Sequence, residues 1–84
     1  MRVTLKLYAS LQDWLPAAVR ATNRLPLDLP PTATVAQVIE AQQLPPKMCH
    51  LVLVNGTFVP PAERSARTFS EGDELAIWPP IAGG

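Results

Sequence analysis

Apolar and polar residues alternate in three segments of this chain, and a period of two predicts strands with one buried face. The segments are residues 2–8, 25–29 and 74–78. Pro26 has no N–H, so we expect the second strand at a sheet edge. In the third strand, Leu75 and Ile77 are expected on one face and Trp78 on the other.

A hairpin is predicted near the middle of the chain. Residues 51–54 form a continuous apolar run, which is typical of a buried strand. Asn55-Gly56 follows, and both residues tolerate the positive φ of a tight turn. We expect the return strand over residues 57–59 and a polar surface loop over residues 62–68.

The main helix is predicted from Val35 to about Gln43. Thr34 and Gln37 have the spacing of a capping box at its start. The pair Pro45-Pro46 stops the helix, because proline lacks the N–H that a helix interior needs.

A shorter helix is predicted after the first strand. Ser10 has the chemistry of an N-cap, and Asp13 stands three residues later. Leu11 and Leu15 follow at helical spacing, and we expect Trp14 to pack this helix onto the domain.

These elements predict an α+β domain, a mixed sheet of four to five strands with one main helix on one face. The first and last strands are expected to pair in parallel at the centre. The expected core residues are Leu5, Leu7, Val38, Ile39, Leu53, Leu75 and Ile77.

Composition narrows the classes of function. Seven basic and seven acidic residues give zero net charge, so we expect neither nucleic-acid nor membrane binding. Cys49 is the single cysteine and is expected to be a buried apolar residue; no metal site is predicted. Arg64 and Arg67 are expected in a solvated loop. No signal peptide is recognised, which predicts a cytoplasmic protein.

The C-terminal segment carries the candidate chemistry. We expect a domain over residues 1–78 and a flexible tail over residues 79–84. Pro79-Pro80 favours an extended exit from the sheet, and six extended residues reach about 20 Å. The tail ends at Gly84, which has no Cβ and carries the terminal carboxylate, so it suits a narrow active site.

A terminal carboxylate is a poor electrophile until it is activated. The sequence contains no phosphate-binding loop and no convincing nucleophile–base pair. The chain is therefore expected to be a substrate in the activation step rather than an enzyme.

Residues 71–84, EGDELAIWPPIAGG, resemble the C-terminal end of the MoaD/ThiS sulfur carriers. The similarity continues upstream through Leu51–Gly56, the helix that begins at Thr34, and the first strand. The resemblance implies a ubiquitin-like β-grasp fold. It also implies that Gly84 is adenylated and converted to a thiocarboxylate. No bound cofactor is expected, and ATP is used by the activating enzyme.

The aromatic residue before Pro-Pro and the short extra helix resemble the molybdopterin synthase small subunit. Ala82 departs from the serine expected there. The implied tail residues are Gly83, Ala82, Ile81, Pro80 and Pro79, with Gly84 as the reacting end. The implied partners are an E1-like adenylyltransferase, a larger molybdopterin-synthase-like subunit and a sulfur donor protein.

Trp78 and Phe58 are candidate partner-binding residues, because tryptophan is enriched at interface hot spots. Packing beneath a loop is an equal alternative for Trp78. Three other functions stay open: a carrier for thiamine, cysteine or tRNA thiolation, a ubiquitin-like protein modifier, and a structural or regulatory domain.

Overall fold

A computed structural model describes residues 1–80. Within these residues there are five strands and one α-helix: β1 (Arg2–Leu7), β2 (Leu25–Asp28), α1 (Val35–Ala41), β3 (Leu51–Val54), β4 (Thr57–Phe58) and β5 (Glu74–Trp78). Short 3₁₀ helices lie at Ala9–Trp14, Ala17–Val19, Pro46–Met48 and Pro61–Glu63. No helix in this part of the chain is long and apolar enough to cross a membrane.

The sheet is mixed, with the strand order β2-β1-β5-β3-β4. β1 and β5 run parallel at the centre, and the other neighbouring pairs are antiparallel. This arrangement confirms the α+β prediction and the central parallel pair. β2 forms one edge, as Pro26 requires, because a proline cannot donate to a further strand.

The core lies between the sheet and α1. Leu5, Leu7, Leu75 and Ile77 are all fully buried, as the alternation predicted. Leu53 was predicted in the core, and this is wrong. Val52 and Val54 face the core instead, and Leu53 is half-buried on the opposite face. A continuous apolar run does not show which of its residues face the core, so the pairing register decided it.

α1 begins as predicted and ends earlier. The Thr34 side chain accepts from the Gln37 amide, and the Gln37 side chain accepts from the Thr34 amide. The helix ends at Ala41, because Gln43 takes a left-handed conformation with φ of 57°. The Leu44 amide then donates to the Ile39 carbonyl, which closes the helix end before the prolines.

The segment after β1 differs from the prediction. The Ser10 N-cap is wrong: a 3₁₀ helix begins at Ala9, and Tyr8 precedes it without a side-chain cap. Tyr8 is still held by the sheet, since its amide donates to the Ile77 carbonyl. The Leu11 side chain is fully buried and packs the short helix against the core. Trp14 is 42% exposed, and its indole N–H donates to the Gln43 carbonyl.

Two loops form hydrogen bonds with the N-terminal ends of α1 and β5. The predicted polar loop, residues 62–68, begins within the 3₁₀ helix Pro61–Glu63. Its Arg64 and Arg67 carbonyls accept from amides in the first turn of α1. The Asn55 side chain bonds Asp73 at 2.8 Å and the Glu74 amide at 2.8 Å. The hairpin turn is thereby attached to the start of β5.

Candidate functional site

The candidate site begins where β5 ends. The Trp78 carbonyl accepts from the His50 amide at 3.0 Å. Pro79 is half-buried and Pro80 is exposed. Neither proline has an N–H, so neither can add a ladder bond as a donor. The predicted tail residues Ile81, Ala82, Gly83 and Gly84 lie outside the described residues, and their roles stay predictions.

Trp78 is packed on one side by a residue that the sequence analysis did not identify. The rings of Tyr8 and Trp78 stack with centroids 4.0 Å apart and planes within 4°. Trp78 is half-buried, so it is both packed and partly open to solvent. The sequence pattern places Tyr8 on the same face as Thr4 and Lys6 of β1. Its contact with Trp78 depends also on the register between β1 and β5, which the pattern does not give.

Trp78 and Phe58 lie on the same face of the sheet. Leu51 stands opposite Trp78, and Leu53 stands between Ala76 and Phe58. We call this surface the outer sheet face; its members are Tyr8, Leu51, Leu53, Phe58, Ala76 and Trp78. Phe58 is 48% exposed and Leu51 is 37% exposed. Clustered exposed apolar side chains are typical of a surface that binds another protein.

Charged residues border the outer sheet face. Glu74 accepts from Arg24 at 2.7 Å and lies 3.7 Å from the Lys6 ammonium. The hydrogen bond from Arg24 lowers the pKa of the Glu74 carboxyl. The Lys6 ammonium lies 5.8 Å from the centre of the Tyr8 ring. The apolar face therefore has a polar rim at the end far from the tail, as protein interfaces do.

Cys49 is buried as predicted. It is 4% exposed, and its thiol lies 3.5 Å from the Pro45 carbonyl. Burial raises the pKa of the Cys49 thiol, and the Arg64 guanidinium offsets this only in part. A protonated, enclosed thiol is poorly suited to nucleophilic chemistry.

Arg64 is placed differently from its prediction as a solvated loop residue. It is half-buried and donates to the carbonyls of Val59, Cys49 and His50. Burial lowers the pKa of its guanidinium. Arg67 is exposed, and it donates to the Thr68 carbonyl.

Among residues 1–80, no group of three His, Cys, Asp or Glu side chains is placed to hold a metal ion. The described surface is suited to recognition of another protein next to Pro79-Pro80.

The model of the ThiS family matches residues 14–84. The chain belongs to the ThiS family. The ThiS match covers most of the chain and includes the Gly-Gly end. A search of curated proteins finds no match.

Solved structures confirm the ubiquitin-like β-grasp fold of this ThiS-family chain. SAMP1 from Haloferax volcanii is 26% identical with a TM-score of 0.67, and each chain is covered over 100%. The Haloferax volcanii HVO 2177 protein is 23% identical with a TM-score of 0.76, over 100% of this chain and 87% of the other. A putative molybdopterin converting factor, subunit 1, from Pyrococcus furiosus is 18% identical with a TM-score of 0.69, over 96% and 99%.

The predicted resemblance to the MoaD/ThiS carriers is thereby confirmed. The chain therefore has the ubiquitin-like fold of the small carrier and modifier proteins to which it is similar.

Proposed function

We propose that this chain is a sulfur carrier whose Gly84 carboxylate is adenylated, converted to a thiocarboxylate and used to donate sulfur. The observation that carries the proposal is the ThiS-family match that runs to Gly84 itself. It is supported by a β5 strand that ends directly at Pro79-Pro80, beside an exposed apolar face.

The proposed chemistry has two steps. A Gly84 carboxylate oxygen attacks the α-phosphorus of ATP on an E1-like enzyme, and pyrophosphate leaves. A sulfide then attacks the acyl-adenylate carbonyl, AMP leaves, and one oxygen of the carboxylate has been replaced by sulfur. If the donor is a protein persulfide, an acyl disulfide forms first, and a second thiol cleaves it to the thiocarboxylate and a disulfide.

The acceptor pathway that we propose is molybdopterin biosynthesis, which serves the molybdenum or tungsten cofactor. In this proposal the chain is the small subunit of molybdopterin synthase, and a larger subunit holds the pterin precursor. Trp78-Pro79-Pro80 and the short helix after β1 support this branch of the family. The Pyrococcus furiosus relative supports the fold only, because its identity is 18%.

The outer sheet face is the proposed docking surface. Trp78 and Phe58 share it, and Pro79-Pro80 begins at its edge. Pro79-Pro80 restricts the backbone at the base of the tail, so this part loses less conformational entropy on insertion into a partner's active site than an unrestricted segment would. Docking through this face would therefore direct Gly84 into the partner's active site. The E1-like enzyme and the sulfur donor would act on the same Gly84 carboxylate at other stages of the cycle. The proposed location is the cytoplasm.

Pyrophosphate exchange tests the first step. The E1-like enzyme encoded in the same genome should exchange labelled pyrophosphate into ATP only when this chain is present. Deletion of Gly84 should abolish the exchange, and Cys49→Ala should leave it unchanged. Exchange that survives the deletion, or that depends on Cys49, would contradict adenylation at the chain end.

A second candidate function is a ubiquitin-like protein modifier. The observation that favours it is the 26% identity to SAMP1 over the full length of both chains, since another structure of that protein is described as small archaeal modifier protein 1. A modifier would form isopeptide bonds from Gly84 to lysines. Tagged chain recovered from cells under denaturing conditions on many proteins would favour the modifier, and recovery as the free chain alone favours the carrier.

A further inference from the structure

Arg64 lies on the loop between β4 and β5, yet its side chain holds the entry to β3. Its Nε donates to the Val59 carbonyl at 3.1 Å. Nη1 donates to the Cys49 carbonyl at 2.9 Å and Nη2 to the His50 carbonyl at 3.3 Å. A guanidinium is a rigid planar fork, so these three bonds set the exit of β4 and the entry of β3 relative to each other.

The β3 entry in turn holds the end of β5. The His50 amide donates to the Trp78 carbonyl at 3.0 Å. Pro79 and Pro80 have no amide N–H, so Trp78 is the last residue among residues 1–80 with a backbone donor. The peptide unit that joins Cys49 to His50 thus lies between two anchors, because its carbonyl accepts from Arg64 Nη1 and its N–H donates to the Trp78 carbonyl. We call this unit the His50 peptide.

We propose that Arg64 is a positioning residue, which acts through the His50 peptide to set the direction in which Pro79-Pro80 leaves the sheet. This inference rests on the proposed function, because the direction of exit matters only if Gly84 reacts in a partner's active site. Arg64 is not expected to touch the reacting atoms. Its contribution is geometric: it fixes the position of the Trp78 carbonyl, from which the conformationally restricted pair Pro79-Pro80 starts.

Arg20 is a matched control on another loop. Its Nε donates to the Leu15 carbonyl at 3.0 Å and its Nη2 to the Asp13 carbonyl at 3.1 Å. Arg20 and Arg64 therefore both hold backbone carbonyls, but the carbonyls bonded by Arg20 lie between β1 and β2. Arg20→Met and Arg64→Met each remove the hydrogen bonds and keep an unbranched apolar stem.

Amide hydrogen exchange tests the structural half of the proposal. In Arg64→Met the His50 amide should exchange at least about tenfold faster than in the unsubstituted chain, because the peptide has lost one anchor. The exchange rate of the Leu29 amide, which donates to the Met1 carbonyl at the β2 edge of the sheet, should be unchanged. Arg20→Met should leave both amides protected. A His50 amide that stays protected in Arg64→Met overturns the proposal.

Steady-state activation by the E1-like enzyme tests the functional half, well below the unfolding temperature of each variant. Arg64→Met should lower kcat by about tenfold and leave KM unchanged, because the outer sheet face is intact and only the delivery of Gly84 is misaligned. Arg64→Lys should recover part of the loss, since an ammonium also donates to carbonyls. Arg20→Met should match the unsubstituted chain.

Equal kcat values for Arg64→Met and Arg20→Met would mean that Arg64 is only a structural residue. If Arg64→Met does not fold, Arg64→Lys carries the same two comparisons. If the unsubstituted chain is not activated at all, the proposed function fails, and the exchange of the His50 amide still decides whether Arg64 controls the end of β5.

Discussion

The Tyr8 and Trp78 rings stack almost parallel, 4.0 Å apart, across the central parallel strand pair. Aromatic pairs contribute about 0.5–1.5 kcal/mol beyond the area they bury. A double-mutant cycle of Tyr8→Ala and Trp78→Ala should therefore give a coupling free energy of about that size, measured by chemical denaturation. Tyr8→Phe should retain most of it. A coupling within experimental error of zero would show that the stack is not a stabilising contact in solution.

Trp78 is also expected to be a docking residue. Replacing it by alanine should weaken binding to a molybdopterin-synthase-like large subunit from the same genome by more than about 1 kcal/mol, because buried tryptophans dominate interface energies. Calorimetric titration measures this. Trp14→Ala is the matched control, since Trp14 is 42% exposed and its indole donates to Gln43, just beyond α1. Equal losses for both variants, or no binding by the unsubstituted chain, would contradict the docking surface or the pathway.

The two faces of the sheet should respond differently to the same substitution. Leu75 is fully buried and Leu53 is half-buried on the outer sheet face. Leu75→Ala should lower the free energy of unfolding by about 2–5 kcal/mol, the range for a leucine lost from a packed core. Leu53→Ala should cost clearly less. Equal losses in chemical denaturation would mean that the β3 register is different in solution.

Much of the fold could be predicted because its signals are local. The alternation of apolar and polar residues predicted the buried faces of β1 and β5. The capping box predicted the start of α1, and Asn55-Gly56 predicted the turn between β3 and β4. Three features depend on contacts that are distant in the chain. The direction in which Leu53 faces depends on the register of β3 against β5, and the Tyr8–Trp78 stack depends on the β1–β5 pairing. The inward turn of Arg64 depends on carbonyls of residues just before β3 and just after β4.

The tail residues of the candidate site could be predicted from the sequence, but the packing of the surface beside them could not. Pro79-Pro80 and the Gly-Gly end stand out in the sequence alone, because their residue types restrict the backbone or free it. The full membership of the outer sheet face could not be predicted from the sequence. It depends on the register of β3, which places Leu51 beside Trp78 and Leu53 beside Phe58.

Cys49 should be unreactive in the folded chain. Its 4% exposure and raised pKa predict slow alkylation by iodoacetamide at neutral pH and rapid alkylation in denaturant. Because the folded pKa is raised, the thiol's contribution to stability is complete below the unfolded pKa and is lost as the pH rises through the folded pKa. Cys49→Ala should remove that part of the pH dependence. Equal alkylation rates with and without denaturant would show that the thiol is accessible.

The most direct test of the sulfur-carrier proposal is the intact mass of the chain after incubation with the E1-like enzyme, ATP and sulfide. The proposal predicts a gain equal to the mass difference between sulfur and oxygen, located by fragmentation at Gly84. A chain that lacks Gly84 should fold, since no core residue is touched, and should show no gain. An unchanged mass with an active enzyme, or sulfur located on Cys49, would contradict the proposal.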